Sequence, residues 1–442
     1  LQLFDRCCVN QPTWKAGFGA VKITPNKYMW MAGYASRTAP ADGKETELWA
    51  KAMVLQSSSG EKLVLITLDL IGIDRQFSQK VCKLVMEKHR VQRESLVLSV
   101  SHTHCGPVVG STLNTMYFYD QDQAKLIEDY TNSLPLLISQ AVDQGFKNLE
   151  PAIVKSGLGT ASFAVNRREN KEDDVPALRA KGQLKGPVDH DVPVLVVQNL
   201  KGQVKGIVFG YACHATVMAY QKWSGDYPGF ATLELEKLYP GSVAMFWAGC
   251  GGDQNPLPRR SVEYAKAYGQ QLAQAVDAVL SKPMETISPD CGMIYREIAL
   301  SLAEIPSREA LVKETQSTDR YIATRAKLLL NKLQHGEKLP DSYPYPVQTW
   351  RLGKDLTWVM LGGEVVVDYS KLLKKQHDGK LWVMAYANDV MAYIPSTRIL
   401  KEGGYEGTTA MIYYGLPGVW GKEIQGQIVD EVTLQIERIR KK

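Results

Sequence analysis

Apolar positions along this chain fall into two rhythms. Short, nearly continuous apolar runs bounded by Gly, Pro or polar clusters predict buried strands, and i, i+3, i+4 spacing predicts amphipathic helices. Strands are expected at 17–23, 48–56, 63–70 and 95–100, with a helix at 77–89 carried by Phe77, Val81, Leu84 and Val85. The last three form a strand–helix–strand unit, the local mark of an α/β sheet. A long helix is expected at 125–145, kinked or broken at Pro135. Strands at 152–158 and 161–165 should join through a Gly turn, and 192–198 and 204–211 should form a hairpin. Further along, the pattern predicts helices at 230–239, 261–280 and 366–376, and strands at 243–247, 294–302, 347–352, 356–361 and 381–387. Residues 307–334 read as one long charged helix, 171–185 and 394–407 as loop, 336–346 as linker and 433–440 as a short strand or helix. The expected fold is α/β: layered mixed β-sheets flanked by helices, in a single domain over 1–442, with 1–14 as an N-terminal lead.

The strand ends carry the chemistry. Five apolar strands stop at groups able to bind metal or move protons: His102 and His104, His214, Asp253, Glu364, and Asn388-Asp389 with Tyr393. In α/β sheets, loops at the carboxyl ends of strands gather groups from distant parts of the chain. Two imidazoles two residues apart at a strand end should project to one side. Two or three imidazoles with a carboxylate match a catalytic zinc that keeps one position open. Each residue also has a plainer role: a hydrogen-bonded strand-end histidine, a helix-capping Glu364 or Asp226, a surface turn at His190. The Gly249–Gly252 run lacks the Lys-Ser/Thr of a phosphate loop.

Composition narrows the partners. The net charge of +5 is spread without a basic block, which argues against nucleic acid. No apolar stretch is long enough to span a bilayer, so no transmembrane segment is expected. The seven cysteines are odd in number and lack CxxC spacing, so neither a zinc ribbon nor a dense disulfide framework is implied. The chain opens on Leu1 rather than Met, from which a removed leader and an extracellular or periplasmic location are expected.

The motifs Ser101-His102-Thr103-His104-Cys105-Gly106-Pro107, Ala212-Cys213-His214-Ala215-Thr216, Ser224-Gly225-Asp226 and Gly363-Glu364, in that order, resemble the neutral/alkaline non-lysosomal ceramidases. The resemblance runs from about residue 17 to about residue 415. It implies a zinc-dependent amidase that splits the N-acyl bond of ceramide by attack of zinc-bound water, on a small-molecule or lipid-like substrate. Carried over residue by residue, it implies that His102, His214, Glu364 and Tyr393 bind Zn2+. His104, Arg167 and Tyr405 would contact the scissile carbonyl or its tetrahedral intermediate. Asn166, beside Arg167, Asp226 of Ser-Gly-Asp, and Asp253 of Gly252-Asp253-Gln254-Asn255-Pro256 are expected to bind substrate.

The chain departs from the family pattern at three places. Asn255 stands where the family's Gly-Asp-Val-Ser-Pro segment has serine, which removes a serine nucleophile there and leaves metal-activated water untouched. Tyr227-Pro228-Gly229 follows Ser-Gly-Asp, so the pocket wall should differ. The family's C-terminal immunoglobulin-like domain is expected to be absent, and no amphipathic or apolar element for extracting a two-chain lipid is visible. Two other readings stay open: a zinc hydrolase of an ester or glycosidic bond, and a binding protein without turnover.

Overall fold

The computed structural model describes residues 13–377 and 380–441, so the first twelve residues of the expected N-terminal lead lie outside it. Eight strands build one large sheet: β1 (Trp14–Lys22), β2 (Trp49–Gln56), β3 (Lys62–Leu68), β4 (Leu96–Val100), β5 (Glu150–Thr160), β6 (Asp191–Asn199), β7 (Val204–Tyr211) and β8 (Val243–Ala248). Their spatial order is β8-β7-β6-β5-β1-β2-β3-β4, with the two-residue strand Glu285–Thr286 added on β5. The pairs at the two ends of this order, β3/β4 and β7/β8, are parallel, and the pairs between them antiparallel. Parallel neighbours need a crossover. It is supplied by α1 (Arg75–His89) at one end and α3 (Asp226–Leu238) at the other.

Strands buried on both faces need apolar residues at successive positions. Leu63 and Leu65 of β3 face one core, and Val64 and Ile66 the other. On one face lie α2 (Gln121–Lys147), α3 and α4 (Val262–Leu280). The other face packs on a second sheet, β9 (Cys291–Ser301), β10 (Ser342–Leu352), β11 (Leu356–Leu361) and β12 (Lys380–Met384). Met53, Leu65, Val97 and Met245 meet Trp350, Trp358, Met360 and Trp382 in that interior. A last helix, α8 (Ile424–Arg440), lies along β9 and β10. The layers therefore run helix, sheet, sheet, helix, which is the expected α/β class.

The site depends on how the large sheet curls. Its edge strands β4 and β8 pack against one another. Residues 384–388, continuing β12, are hydrogen-bonded to both. Ala385 N donates to Ala248 O at 2.9 Å, at the end of β8. Val100 N donates to Tyr386 O at 3.3 Å, and Asn388 N to Leu98 O at 2.7 Å, along β4. Loops leaving opposite ends of the strand order thus meet in one place.

Several local expectations give way to longer-range effects. α2 runs through Pro135, whose ring is buried with Leu134 and Ile138 against the sheet. The expected break at 159–160 is absent, because β5 stays paired with β6 as far as Thr160. The helix expected at 307–334 is two helices, α5 (Arg308–Glu314) and α6 (Arg320–Gln334). Asp319 ends the continuity: its carboxylate accepts from Tyr321 N and caps α6. The loop at 394–407 holds the helices Thr397–Glu402 and Gly404–Gly407, the first capped by Ser396. The loop at 171–185 holds the helix Val175–Ala180, the linker at 336–346 contains the start of β10, and α8 is a full helix of 17 residues.

Candidate metal centre and active-site cavity

β4 stops at Val100, and two residues later His102 turns into the left-handed region at φ 58°. The pairing of His102 with His104 is therefore not the side-by-side projection of a strand. The turn sets the two rings edge to face, 4.9 Å apart at 84°. Thr103 Oγ1 donates to Ser224 O at 2.6 Å, and Arg37 Nη2 donates to His104 O at 2.8 Å, which fixes the loop between them.

β7 stops at Tyr211 and delivers His214, whose backbone N–H donates to Gln254 O at 2.9 Å. Glu364 and Tyr393 are register partners in a two-residue parallel ladder, Glu364–Val365 beside Tyr393–Ile394. The ladder forms because Gly363, at φ 76°, turns the chain where a Cβ would sit 2.7 Å from Ala392 O.

These elements bring five polar groups together. His102 Nε2 lies 3.1 Å from Glu364 Oε2, and His214 Nε2 lies 3.1 Å from the same oxygen. Tyr393 OH is 3.2 Å from His214 Nε2, and His104 Nε2 is 3.2 Å from His102 Nε2. The far ring atoms define the tautomers: His102 Nδ1 donates to Ile71 O at 2.6 Å and His214 Nδ1 to Gly251 O at 2.7 Å. In the neutral rings both Nε2 atoms are then acceptors, and both face a carboxylate oxygen, also an acceptor. Two imidazolium ions in this dry space beside Arg167 would be costly. A divalent cation would resolve the conflict, and two imidazoles, a carboxylate and a phenol could serve as its donor set. Among the described residues, His102, His104 and His214 also form a group whose ring nitrogens lie within 4.8 Å of one another.

The electrostatics agree. Burial, then the Arg167 charge, pushes His214 down to about 4. Burial, reinforced by His102 and His214, holds His104 well below the ordinary imidazole value. Burial by itself would raise Glu364, but the neighbouring imidazoles carry it well below the usual carboxylate range. A carboxylate kept ionised beside His104 and His214, whose rings burial keeps neutral, suits a cation.

One side of this cluster opens into a cavity of about 610 Å³, where His104, His214, Arg167, Tyr393 and Tyr405 are exposed to its interior. Arg167 donates to Tyr393 OH at 3.1 Å, to Glu406 Oε1 at 2.7 Å and to Asn255 Oδ1 at 3.2 Å. Asn255, the residue in the serine position, is therefore an anchor for Arg167. The Tyr405 ring stands 5.4 Å from the Tyr393 ring and 5.6 Å from the Arg167 guanidinium carbon. Two other cavities, one walled by Leu158, Trp247 and Trp382 and one by Cys82, Met86 and Tyr295, contain none of the five converging groups.

Seven expected residues thus surround one space: His102, His104, His214, Glu364, Tyr393, Arg167 and Tyr405. Asn166, Asp226 and Asp253 do not line the cavity and are fully enclosed. Asn166 Nδ2 donates to Pro187 O at 3.0 Å and to Asp253 Oδ2 at 3.2 Å. Asp253 Oδ1 accepts from Val367 N at 2.8 Å, at the start of the helix α7 (Val367–Gln376). Asp226, at φ 54°, accepts from Met218 N at 2.8 Å and from Tyr227 N at 2.6 Å. These three hold loops in place. Asn388 and Asp389 also leave the cluster. Asn388 ties Leu98 N to Gln348, and Asp389 accepts from Tyr343 OH at 2.6 Å on the far side.

Two neighbours had no signal in the sequence. Tyr414 donates its hydroxyl to Glu364 Oε1, leaving Oε2 for the imidazoles. The Tyr386 ring packs 4.5 Å from the His102 ring. Tyr414 lies in an apolar-aromatic stretch with no spacing that marks it, and Tyr386 reads as strand interior.

A profile of the family described as neutral/alkaline non-lysosomal ceramidase, N-terminal, matches residues 14–256, more than half of the chain. The chain belongs to the neutral/alkaline non-lysosomal ceramidase family. The family match covers the strand ends bearing His102, His104, Arg167 and His214, while Glu364, Tyr393 and Tyr405 lie beyond it. The neutral ceramidase of Drosophila melanogaster is 25% identical over 269 residues, covering 57% of this chain and 37% of that protein. The neutral ceramidase of Drosophila pseudoobscura pseudoobscura is 24% identical over 351 residues, covering 75% and 46%. The chain thus spans less than half the length of these relatives. In fold, it superimposes on neutral ceramidase from Pseudomonas aeruginosa with a TM-score of 0.74 and 19% identity, over 97% of this chain and 75% of that one. A ceramidase complexed with C2 matches equally, with a TM-score of 0.74 and 18% identity over 97% and 76%.

Proposed function

We propose that this ceramidase-family chain is a metal-dependent hydrolase of an N-acyl amide bond, with Zn2+ as the ion. The observation that carries this is the meeting of His102 Nε2, His214 Nε2, Glu364 Oε2 and Tyr393 OH beside a cavity that also holds His104, Arg167 and Tyr405. The relatives' names make ceramide the first substrate to test. His102, His214, Glu364 and Tyr393 would hold the metal, which supplies Lewis acidity and lowers the pKa of water at the site.

The remaining roles belong to side chains. Hydrolysis builds negative charge on the amide oxygen, and the Arg167 guanidinium and Tyr405 phenol face the space where it forms. A well-placed donor of this kind is worth roughly 3–4 kcal/mol. The buried, neutral His104 ring, with Nδ1 free of a hydrogen-bond partner, can take a proton and pass it to the leaving amine. Asn166 and Asp253 position the Arg167 loop, since Arg167 N donates to Asp253 O at 2.9 Å.

The test joins metal content to turnover. Purified protein should carry about one zinc per chain and release fatty acid from short- and long-chain N-acyl sphingosines. The His102→Asn protein, whose new residue tolerates the left-handed backbone, should keep its circular dichroism spectrum and lose both metal and activity. An active protein without metal, or fatty acid released only from esters, rejects the proposal.

A further inference from the structure

We infer that the amide cleaved in this cavity carries an acidic group, as in an N-acyl amino acid, and that Lys171 is the residue that selects it. This rests on the amidase reading above and adds the class of substrate.

The argument starts from the cavity wall. Four cationic side chains line it, Arg167, Arg168, Lys171 and Arg259, against two carboxylates, Glu172 and Glu406. Both carboxylates are committed. Glu172 receives the Arg259 guanidinium at 2.8 Å, and Glu406 receives Arg167 and Arg168, each at 2.7 Å. Lys171 is exposed and has no ion pair among the described residues. A metal at the floor would add further positive charge.

The same wall is poor in aliphatic surface. Leu257 is its one aliphatic side chain beyond alanine size, and the other apolar area comes from the faces of tyrosines. A neutral two-chain lipid would find little aliphatic surface here and would leave Lys171 without a partner. A carboxylate on the substrate would give Lys171 its missing partner, and tyrosine faces suit a short or single acyl chain. The chemistry balances simply: water adds across the C–N bond, the hydroxyl going to the acyl carbon and a proton to the amine. The products are a carboxylic acid and an amino acid.

The experiment compares N-dodecanoylglycine with its neutral counterpart N-dodecanoylethanolamine on the metal-loaded protein. The expected result is a kcat/KM about tenfold or more in favour of the acid, with its KM rising with salt. In the Lys171→Glu protein, a surface change, that ratio should fall about tenfold or more, through KM. Equal or better turnover of the neutral amide, or a Lys171→Glu effect of the same size on both probes, overturns the inference. If neither probe nor N-acyl sphingosine is hydrolysed, the amidase reading fails, and the inference is then read from equilibrium binding. A tighter Kd for the acid that weakens in Lys171→Glu supports it, and equal Kd values overturn it.

Discussion

Glu364 shows how much one side chain depends on its neighbours. Its Oε2 is shared by His102 and His214, while Oε1 is taken by the Tyr414 hydroxyl. Tyr414 therefore decides which oxygen faces the imidazoles, where the proposed metal would sit. Partners of this kind orient a ligand without touching the ion, and losing one typically weakens metal affinity about 10–100-fold. Tyr414→Phe should show that loss in a competitive zinc titration while its thermal midpoint with zinc bound stays near that of the parent. An unchanged zinc affinity would remove Tyr414 from the site. Arg167 is bound just as tightly. Burial opposes its charge, but Tyr393 and Glu406 hold its pKa well above the ordinary guanidinium value.

The elements that carry these residues are placed by close contacts rather than by propensity. Gly17 and Gly19 of β1 lie directly under α2. A Cβ at Gly17 would meet Gly145 O at 2.0 Å, and one at Gly19 would meet Ala141 O at 2.0 Å. The helix can lie this close to the strand only if both positions lack a side chain. Gly19→Val should cost about 3 kcal/mol, read as a lowered denaturant midpoint, because backbone atoms on both sides cannot yield. In the sequence, Gly17-Phe18-Gly19 looked like an ordinary strand opening. The helix α6 carries a similar lesson: the cap at Asp319 was present in the sequence, but the continuous charged pattern around it masked the break.

At the scale of the whole molecule, the curl of the large sheet brings its opposite edges together and buries acids beneath the site. Burial raises Asp69, Asp226 and Asp253 each to about 6. A carboxyl whose folded pKa lies above its unfolded value holds its proton more tightly in the folded state. It therefore lowers stability as pH rises from about 4 to about 6, with the penalty fully present above that window. For Asp226 a shift of this size corresponds to about 3 kcal/mol. Relative to Asp226→Asn, which cannot ionise, the parent protein should lose stability across that window in urea titrations and run parallel above pH 7. A stability difference independent of pH would show that Asp226 titrates normally.

The sequence by itself determined the local facts. Apolar runs set most strands, because burial on both faces demands them, and the ordered motifs carried the family and named seven side chains that the fold brings around one cavity. Tertiary structure decided what the chain alone leaves open. His102 and His104 converge through a left-handed turn rather than strand alternation. Glu364 and Tyr393 become register partners only when their short ladder forms. Asn166, Asp226 and Asp253, expected to bind substrate, end up enclosed behind the cavity instead of lining it. A motif specifies which side chains are available and roughly where the chain turns. Which of them face the same space depends on how the sheet curls and on what the segment 384–388 draws together, and both are set by contacts between residues hundreds of positions apart.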